Sequence, residues 1–289
     1  MNKIGFIGLG VMGAPMAGHL SRNDFEVSVF NRTNEKSIIW KSRHEGRVCN
    51  SLNELAISSE CIVLCVGKDE DVKDIINSKS GIMDTLSPGS IIIDHTTTSA
   101  ELAKEMNEAL SAKDCFFLDA PISGGQLGAE SGTLSVMAGG NKKAYKACNK
   151  IFKSYAQSHK FMGPSGSGQL TKMVNQICIA GLIQALAEGM NFSKRAGLNT
   201  ADVMDVITKG AAQSWQMENR WETMLNDEYD FGFAVDLMRK DLDIVLKQAK
   251  KMDTELEITD LVNSFYKEIQ KLGGGRWDTS SLLKRIQEK

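Results

Sequence analysis

Residues 6–13 read Phe6-Ile7-Gly8-Leu9-Gly10-Val11-Met12-Gly13, three glycines at the spacing G-x-G-x-x-G. Alone that spacing is weak. Here it stands directly after a short apolar run, Ile4 to Ile7, and opens a helical stretch. In that setting Gly8 permits a tight turn, Gly10 lets the backbone approach a pyrophosphate, and Gly13 lets the helix lie close to the strand. Backbone N–H groups at the helix start, with the helix dipole behind them, would then face phosphates. The segment Gly8, Leu9, Gly10, Val11, Met12, Gly13 is therefore expected to bind a dinucleotide, the alternative being a glycine-rich turn with no ligand.

Outward from this loop the same alternation continues. Val27 to Phe30, Cys61 to Val66, Ile91 to Ile93 and Phe116 to Leu118 are near-continuous aliphatic or β-branched runs, the pattern of parallel strands covered on both faces. Helical stretches lie between them, such as Ala100 to Leu110 with Ser99 as N-cap. The repetition is βαβ, which predicts a doubly wound, Rossmann-type sheet. After Gly163 no strand-like run appears, and helical patterns are broken at Gly197, Gly210, Asn226 to Phe233 and Gly273 to Gly275. The expected architecture is a dinucleotide-binding domain over residues 1–164 and an all-helical domain over 165–289, joined by a long helix from Gly168 to about Ala196.

Composition narrows the function. With 289 residues and 42% hydrophobic content the chain can bury a sizeable core. The formal charge of -2 offers no one-signed field for nucleic acid or an anionic membrane. Six cysteines without a C-x-x-C pair read as reduced, buried thiols with no metal site, in a cytoplasmic setting. The N-terminus lacks the layout of a signal peptide. The apolar segment Met173 to Met190 approaches bilayer length, yet Asn175, Gln176, Gln184 and Glu188 interrupt it. Burial within protein fits it better than a membrane span.

The residues after the second strand select the cofactor. An acidic group there would hold the adenine-side ribose of NAD, but the chain has Asn31-Arg32-Thr33. Arg32 can offer a 2′-phosphate charge-assisted hydrogen bonds worth about 1.5–3 kcal/mol each. NADP is favoured and NAD remains possible; an exposed turn arginine is the bland alternative.

Ligands of open α/β sheets gather beyond the carboxyl ends of strands. Two loops fall there: Asp94-His95-Thr96-Thr97-Thr98, rich in hydroxyls, and Asp119-Ala120-Pro121-Ile122-Ser123-Gly124-Gly125. Ser123 and the amides of Gly124 and Gly125 can hold a small anion in a backbone nest, and a substrate carboxylate is the natural guest. His95 titrates near neutrality in principle, but no relay partner marks it. Lys172 is the stronger candidate for proton transfer: Gly168, Lys172 and Asn175 fall at i, i+4 and i+7 on one helical stripe, and the glycine is expected to leave open space beside the ammonium. To work near neutrality a lysine must come down by roughly 3 units, about 4 kcal/mol. Desolvation and a neighbouring nicotinamide cation could supply that much, since a unit charge at about 4 Å is worth about 4 kcal/mol at an effective dielectric of about 20. A snorkelling lysine at a helix start is the alternative.

Four runs together, FIGLGVMGAPMAGHL (6–20), DAPISGG (119–125), GSGQLTKMVN (166–175) and RKD (239–241), resemble the β-hydroxyacid dehydrogenases, the group containing 3-hydroxyisobutyrate dehydrogenase and glyoxylate/succinic semialdehyde reductase. The resemblance covers essentially the whole chain. It implies that Lys172 is the catalytic lysine, that Asn175 orients substrate, and that Ser123, Gly124 and Gly125 bind its carboxylate. It further implies cofactor contacts at Thr97 and Lys240 and an aromatic wall at Phe233. Asn31-Arg32-Thr33 looks like the NADPH-using reductases of the group. The implied substrates are small aldehyde acids and their hydroxy acids, and the implied assembly is a homodimer or homotetramer. Departures from the pattern lie at Val66-Gly67-Lys68-Asp69, at His95, and at Gly210 to Trp215, where Trp215 either shapes the pocket or is ordinary core. A 3-hydroxyisobutyrate dehydrogenase using NAD, an imine reductase and a silent dinucleotide-binding module are the rival readings; the last two are expected to lack the lysine.

Overall fold

A computed structural model of the protein describes residues 1–288. The chain divides into two compact units, Met1–Lys172 and Met173–Lys289.

In the first unit, six strands run parallel: β1 (Lys3–Ile7), β2 (Glu26–Phe30), β3 (Arg47–Val48), β4 (Cys61–Leu64), β5 (Ile91–Asp94) and β6 (Phe116–Asp119), in the order β3-β2-β1-β4-β5-β6. The order reverses between β1 and β4, the position at which such sheets open a crevice for a dinucleotide. Register explains why the central positions of these runs are largely apolar on both faces. Phe6 pairs with Val29 and Val63, Val63 with Ile93, and Ile93 with Leu118. Those side chains share one face, where they form a core with Met16, Ala17 and Leu20 of the helix Gly13–Arg22. Their neighbours Ile7, Ile62, Leu64, Ile92 and Phe117 point to the other face and meet Leu55, Val72, Ile76, Met106 and Leu110. Alternation sends successive residues to opposite faces, so a strand covered on both sides is largely apolar along its middle, and the buried acids Asp94 and Asp119 stand at the carboxyl ends of β5 and β6.

Three further strands were not expected from the sequence. β7 (Ile122–Ser123) and β8 (Leu134–Gly140) pair antiparallel, β8 pairs antiparallel with β6, and β9 (Ala156–Gly163) runs parallel to β8. The sequence of β8 ends Ala-Gly-Gly and that of β9 is largely polar and exposed, neither of which carries the β-branched signature of a strand.

The second unit is helical, as the breaks at its glycines and at Asn226 predict. Besides the later turns of the long helix Ser167–Arg195 it contains Thr200–Ile207, Trp215–Leu225, Val235–Lys251, Glu257–Lys271 and Leu282–Gln287. Its core comes from residues at helical spacing: Ala180, Ile183, Ala187 and Met190; Val235, Met238 and Leu242; Val262, Tyr266 and Ile269. Ser167–Arg195 is the one helix among the described residues long and apolar enough to cross a membrane, by length and composition alone.

Candidate active site

The glycine loop has the geometry its spacing requires. Gly8 adopts φ +99°, and a Cβ there would lie 2.2 Å from the Cys65 carbonyl oxygen. Its N–H donates to Phe30 O at 3.1 Å. A Cβ on Gly13 would sit 1.9 Å from Gly8 O, so only glycine lets the helix close onto the turn. Gly10 is different: nothing lies within 4 Å of the position its Cβ would take. Ala14 N–H donates to Gly10 O at 3.0 Å, which leaves Val11, Met12 and Gly13 ahead of that bond. The helix start has no side-chain cap and no acidic residue in its first turn. An open cradle over Gly10 and an uncapped, uncharged helix terminus fit the pyrophosphate of a dinucleotide.

Leu9 does not present its amide to this cradle. Its N–H donates to Asn31 Oδ1 at 2.9 Å and its side chain is buried, while Asn31 Nδ2 donates to Thr33 O at 2.9 Å. Asn31 thus ties the end of β2 to the glycine loop. Arg32 extends into solvent, 93% exposed, with Nη1 3.8 Å from Asp71 Oδ1. No carboxylate was expected beside Arg32; the fold brings one from the helix Asp69–Asn77.

The loop after β5 is held rigidly. Asp94 Oδ1 accepts from Thr96 N–H at 2.9 Å, Thr96 Oγ1 accepts from Val66 N–H at 3.1 Å, and Gln169 brackets the turn by accepting from Thr98 N–H (3.1 Å) and donating to Thr96 O (2.8 Å). Thr96 and Thr98 are buried, and of the three threonines Thr97 alone is partly exposed. His95 is a structural residue. A carbonyl can only accept, so Nδ1 donates to Ala120 O at 2.5 Å and Nε2 accepts from the Tyr155 hydroxyl at 2.9 Å. Burial lowers its pKa to about 4, and the imidazole stays neutral.

The β6 loop carries two exposed glycines and a buried anchor. Gly124 and Gly125 follow Ser123 with φ +127° and +61°; both glycines are exposed and Ser123 is half-buried. Asp119, fully buried, accepts from Gly166 N–H (Oδ1, 2.8 Å) and Gln169 N–H (Oδ2, 3.1 Å). Its carboxylate therefore occupies the start of the long helix, where it satisfies amides that have no partner within the helix. Burial raises its pKa to about 6 against the effect of those amides, and burial likewise raises Asp94 to about 7.

Gly168 does not open space beside Lys172, contrary to the expectation from spacing. A Cβ there would meet Asp119 O at 2.3 Å and Met137 O at 2.4 Å; the glycine is where helix and sheet touch. One turn on, Lys172 is buried, with 7% of its surface exposed. Asn175 follows on the same helix.

In the second unit, side chains link two of the expected site residues. Asn175 Nδ2 donates to Gln176 Oε1 at 2.8 Å, Gln176 Nε2 donates to Asp241 Oδ2 at 2.7 Å, and Lys240 Nζ lies 3.1 Å from Asp241 Oδ1. Gln176 and Asp241 are buried. Phe233 and Trp215 are also joined. Phe233 N–H donates to buried Asp278 Oδ2 at 2.9 Å, Asp278 Oδ1 pairs with Arg220 at 3.3 Å, and the Arg220 guanidinium lies 5.0 Å from the ring centroids of both Trp215 and Phe231. Trp215 is 44% exposed and so is not core.

Asp119, Gln169, Gln176, Asp241, Arg220 and Asp278 were not singled out from sequence as site residues. The available signal was a polar residue at a position that the helical or strand pattern buries, as at Gln176 within an apolar helix. Among the described residues no three or more His, Cys, Asp or Glu are placed to hold a metal.

Comparison with known proteins covers both units of the chain. Residues 3–163 match the family described as the NAD binding domain of 6-phosphogluconate dehydrogenase. Residues 166–286 match the one described as NAD-binding of NADP-dependent 3-hydroxyisobutyrate dehydrogenase. An uncharacterized oxidoreductase of Shewanella frigidimarina is 48% identical over 288 residues, covering 100% of this chain and 99% of its own. A probable 3-hydroxyisobutyrate dehydrogenase-like protein of Arabidopsis thaliana is 37% identical, covering 99% of this chain and 85% of its own. The crystal structure of 3-hydroxyisobutyrate dehydrogenase from Salmonella typhimurium superposes with a TM-score of 0.88 at 28% identity, covering 98% of this chain and 99% of its own. These matches, which run over nearly the whole length, identify the chain as a member of the β-hydroxyacid dehydrogenase family, an NAD(P)-dependent hydroxyacid dehydrogenase.

Proposed function

We propose that the protein is an NADP(H)-dependent reductase and dehydrogenase that interconverts a small aldehyde acid and its hydroxy acid, with succinic semialdehyde, glyoxylate and methylmalonate semialdehyde as the substrates to test first. Residues 1–164 hold the dinucleotide and residues 165–289 complete the substrate side, in a cytoplasmic homodimer or homotetramer. The observation that carries the reading is the placement of Lys172: a buried lysine in the second turn of a helix whose start is fixed by Asp119 and Gln169.

When bound, the nicotinamide supplies or accepts the hydride. The residues of the chain do the rest. Ser123 and the amides of Gly124 and Gly125 hold the substrate carboxylate, which orients the carbonyl. Asn175 fixes the other side of the substrate, and its own amide is steadied by Gln176. Lys172 donates a proton to the carbonyl oxygen as the carbon is reduced, and takes it back in the oxidative direction. Gly10, Val11, Met12, Gly13 and Arg32 bind the phosphates, Thr97 and Lys240 the nicotinamide side, and Phe233 and Trp215 wall the acid.

The test is consumption of NADPH and NADH with a panel of aldehyde acids and one cyclic imine, with Lys172→Ala alongside. Loss of a positioned general acid lowers kcat by about 10²–10⁴-fold, while the dissociation constant for NADPH changes little. Turnover that survives the substitution would reject the mechanism.

A further inference from the structure

We propose that Asp71 is a specificity-determining residue, which competes with the 2′-phosphate of NADP(H) for Arg32 and so keeps the preference over NAD(H) moderate. The inference rests on the reading of Arg32 as the 2′-phosphate contact.

The helix Asp69–Asn77 carries three acids in its first turn, Asp69, Glu70 and Asp71. Two are engaged elsewhere. Asp69 accepts from Ser99 N–H and from the Ser99 hydroxyl, the latter at 2.5 Å, and Glu70 lies 3.6 Å from Lys68. Asp71 is oriented by its own loop: Oδ2 accepts from Gly67 N–H at 3.2 Å, which turns Oδ1 toward Arg32 at 3.8 Å. Gly67 makes this possible, because a Cβ there would stand 2.8 Å from Asp71 Oδ2. Any other residue would push the carboxylate away.

Asp71 is mostly shielded while Arg32 is almost bare, at 25% and 93% side-chain exposure. The carboxylate is therefore the shielded partner and the guanidinium the one open to a ligand. An ion pair of this length in solvent is weak, so it yields to a phosphate dianion but taxes it, through both the lost pairing and the like-charge repulsion that remains. The uncharged 2′-hydroxyl of NAD(H) meets no such repulsion. From the first turn of the helix Asp69–Asn77, Asp71 thus disfavours the 2′-phosphate without acting on the ribose of NAD(H).

The experiment is isothermal titration calorimetry of wild type, Asp71→Asn and Arg32→Ala with NADPH and with NADH, at low and at high salt. Asp71→Asn is expected to tighten NADPH about 10-fold, or about 1.4 kcal/mol, to change NADH less than about 2-fold, and to lose most of the difference at high salt. An equal shift for both cofactors, weaker NADPH binding or no change overturns the proposal. Arg32→Ala separates the two layers. If it leaves the NADPH/NADH ratio intact, the reading of Arg32 fails and the role of Asp71 with it; if it collapses the ratio while Asp71→Asn leaves it unmoved, only the role of Asp71 is lost.

Discussion

Asp94 and His95 are adjacent, both fully buried, and respond to pH in opposite senses. Burial, with Asp119 and Asp69 nearby, raises the Asp94 pKa from 3.8 to about 7, although Thr96 hydrogen bonds pull it down. The folded form therefore binds this proton more tightly than the unfolded chain. Its stabilising contribution is complete below pH 3.8 and is lost as pH rises through about 7, a span worth at most about 4 kcal/mol. His95 is depressed from 6.5 to about 4 by burial, so its contribution is present above pH 6.5 and is lost as pH falls through about 4. Over most of that range the two slopes oppose one another. Asp94→Asn keeps an acceptor for Thr96 and removes the titration. Thermal melts from pH 5 to 8 should show the variant gaining on wild type as pH rises, and parallel curves would refute the assignment. None of this was legible in the letters DHTTT: sequence offers a histidine that titrates near neutrality, and only the fold supplies the carbonyl and tyrosine that hold it neutral.

Two helix starts use glycine for opposite reasons, and alanine tells them apart. At Gly168 the new Cβ would meet two backbone carbonyls, Asp119 O and Met137 O, neither of which can move without displacing a strand. Overpacking of this kind costs about 1–3 kcal/mol or more, and Gly168→Ala should lower Tm by roughly 2–12 °C. At Gly10 the Cβ would meet nothing, so Gly10→Ala should melt within about 1 °C of wild type by the same slope. If the pyrophosphate occupies that empty space as proposed, the same variant should bind dinucleotide more weakly by calorimetry; unchanged affinity would show that the loop is not the phosphate cradle. The strand β1, its glycine turn and the following helix were readable because periodicity, glycine spacing and turn chemistry agree there. β8 and β9 were not, since an Ala-Gly-Gly end and an exposed polar edge draw their pairing from neighbours distant in sequence. The clamp of Asp119 and Gln169 was hidden for a related reason: it joins residues about 50 positions apart.

Each unit has cores of its own, two on the sheet and one among the helices, so the two need not melt as one. The residues expected to hold phosphate, Gly8 to Gly13 and Arg32, belong to Met1–Lys172. A ligand that binds only the folded form stabilises by RT ln(1 + [L]/Kd), about 2.7 kcal/mol at 100 times Kd. The tryptophans divide between the units: Trp40 lies in the first, Trp215, Trp221 and Trp277 in the second. Trp40 Nε1 donates to Ala14 O at 3.1 Å, in the helix that the glycine loop opens. Its fluorescence thus reports the integrity of the proposed phosphate site. In a variant with the other three tryptophans changed to phenylalanine, NADPH at 100 times Kd should move the Trp40 thermal transition upward by several degrees. NADH at the same absolute concentration should move it less, because it lacks the 2′-phosphate proposed to meet Arg32. A Trp40 transition indifferent to both nucleotides would place the dinucleotide outside this unit, and the division of labour drawn from a glycine spacing would fail with it.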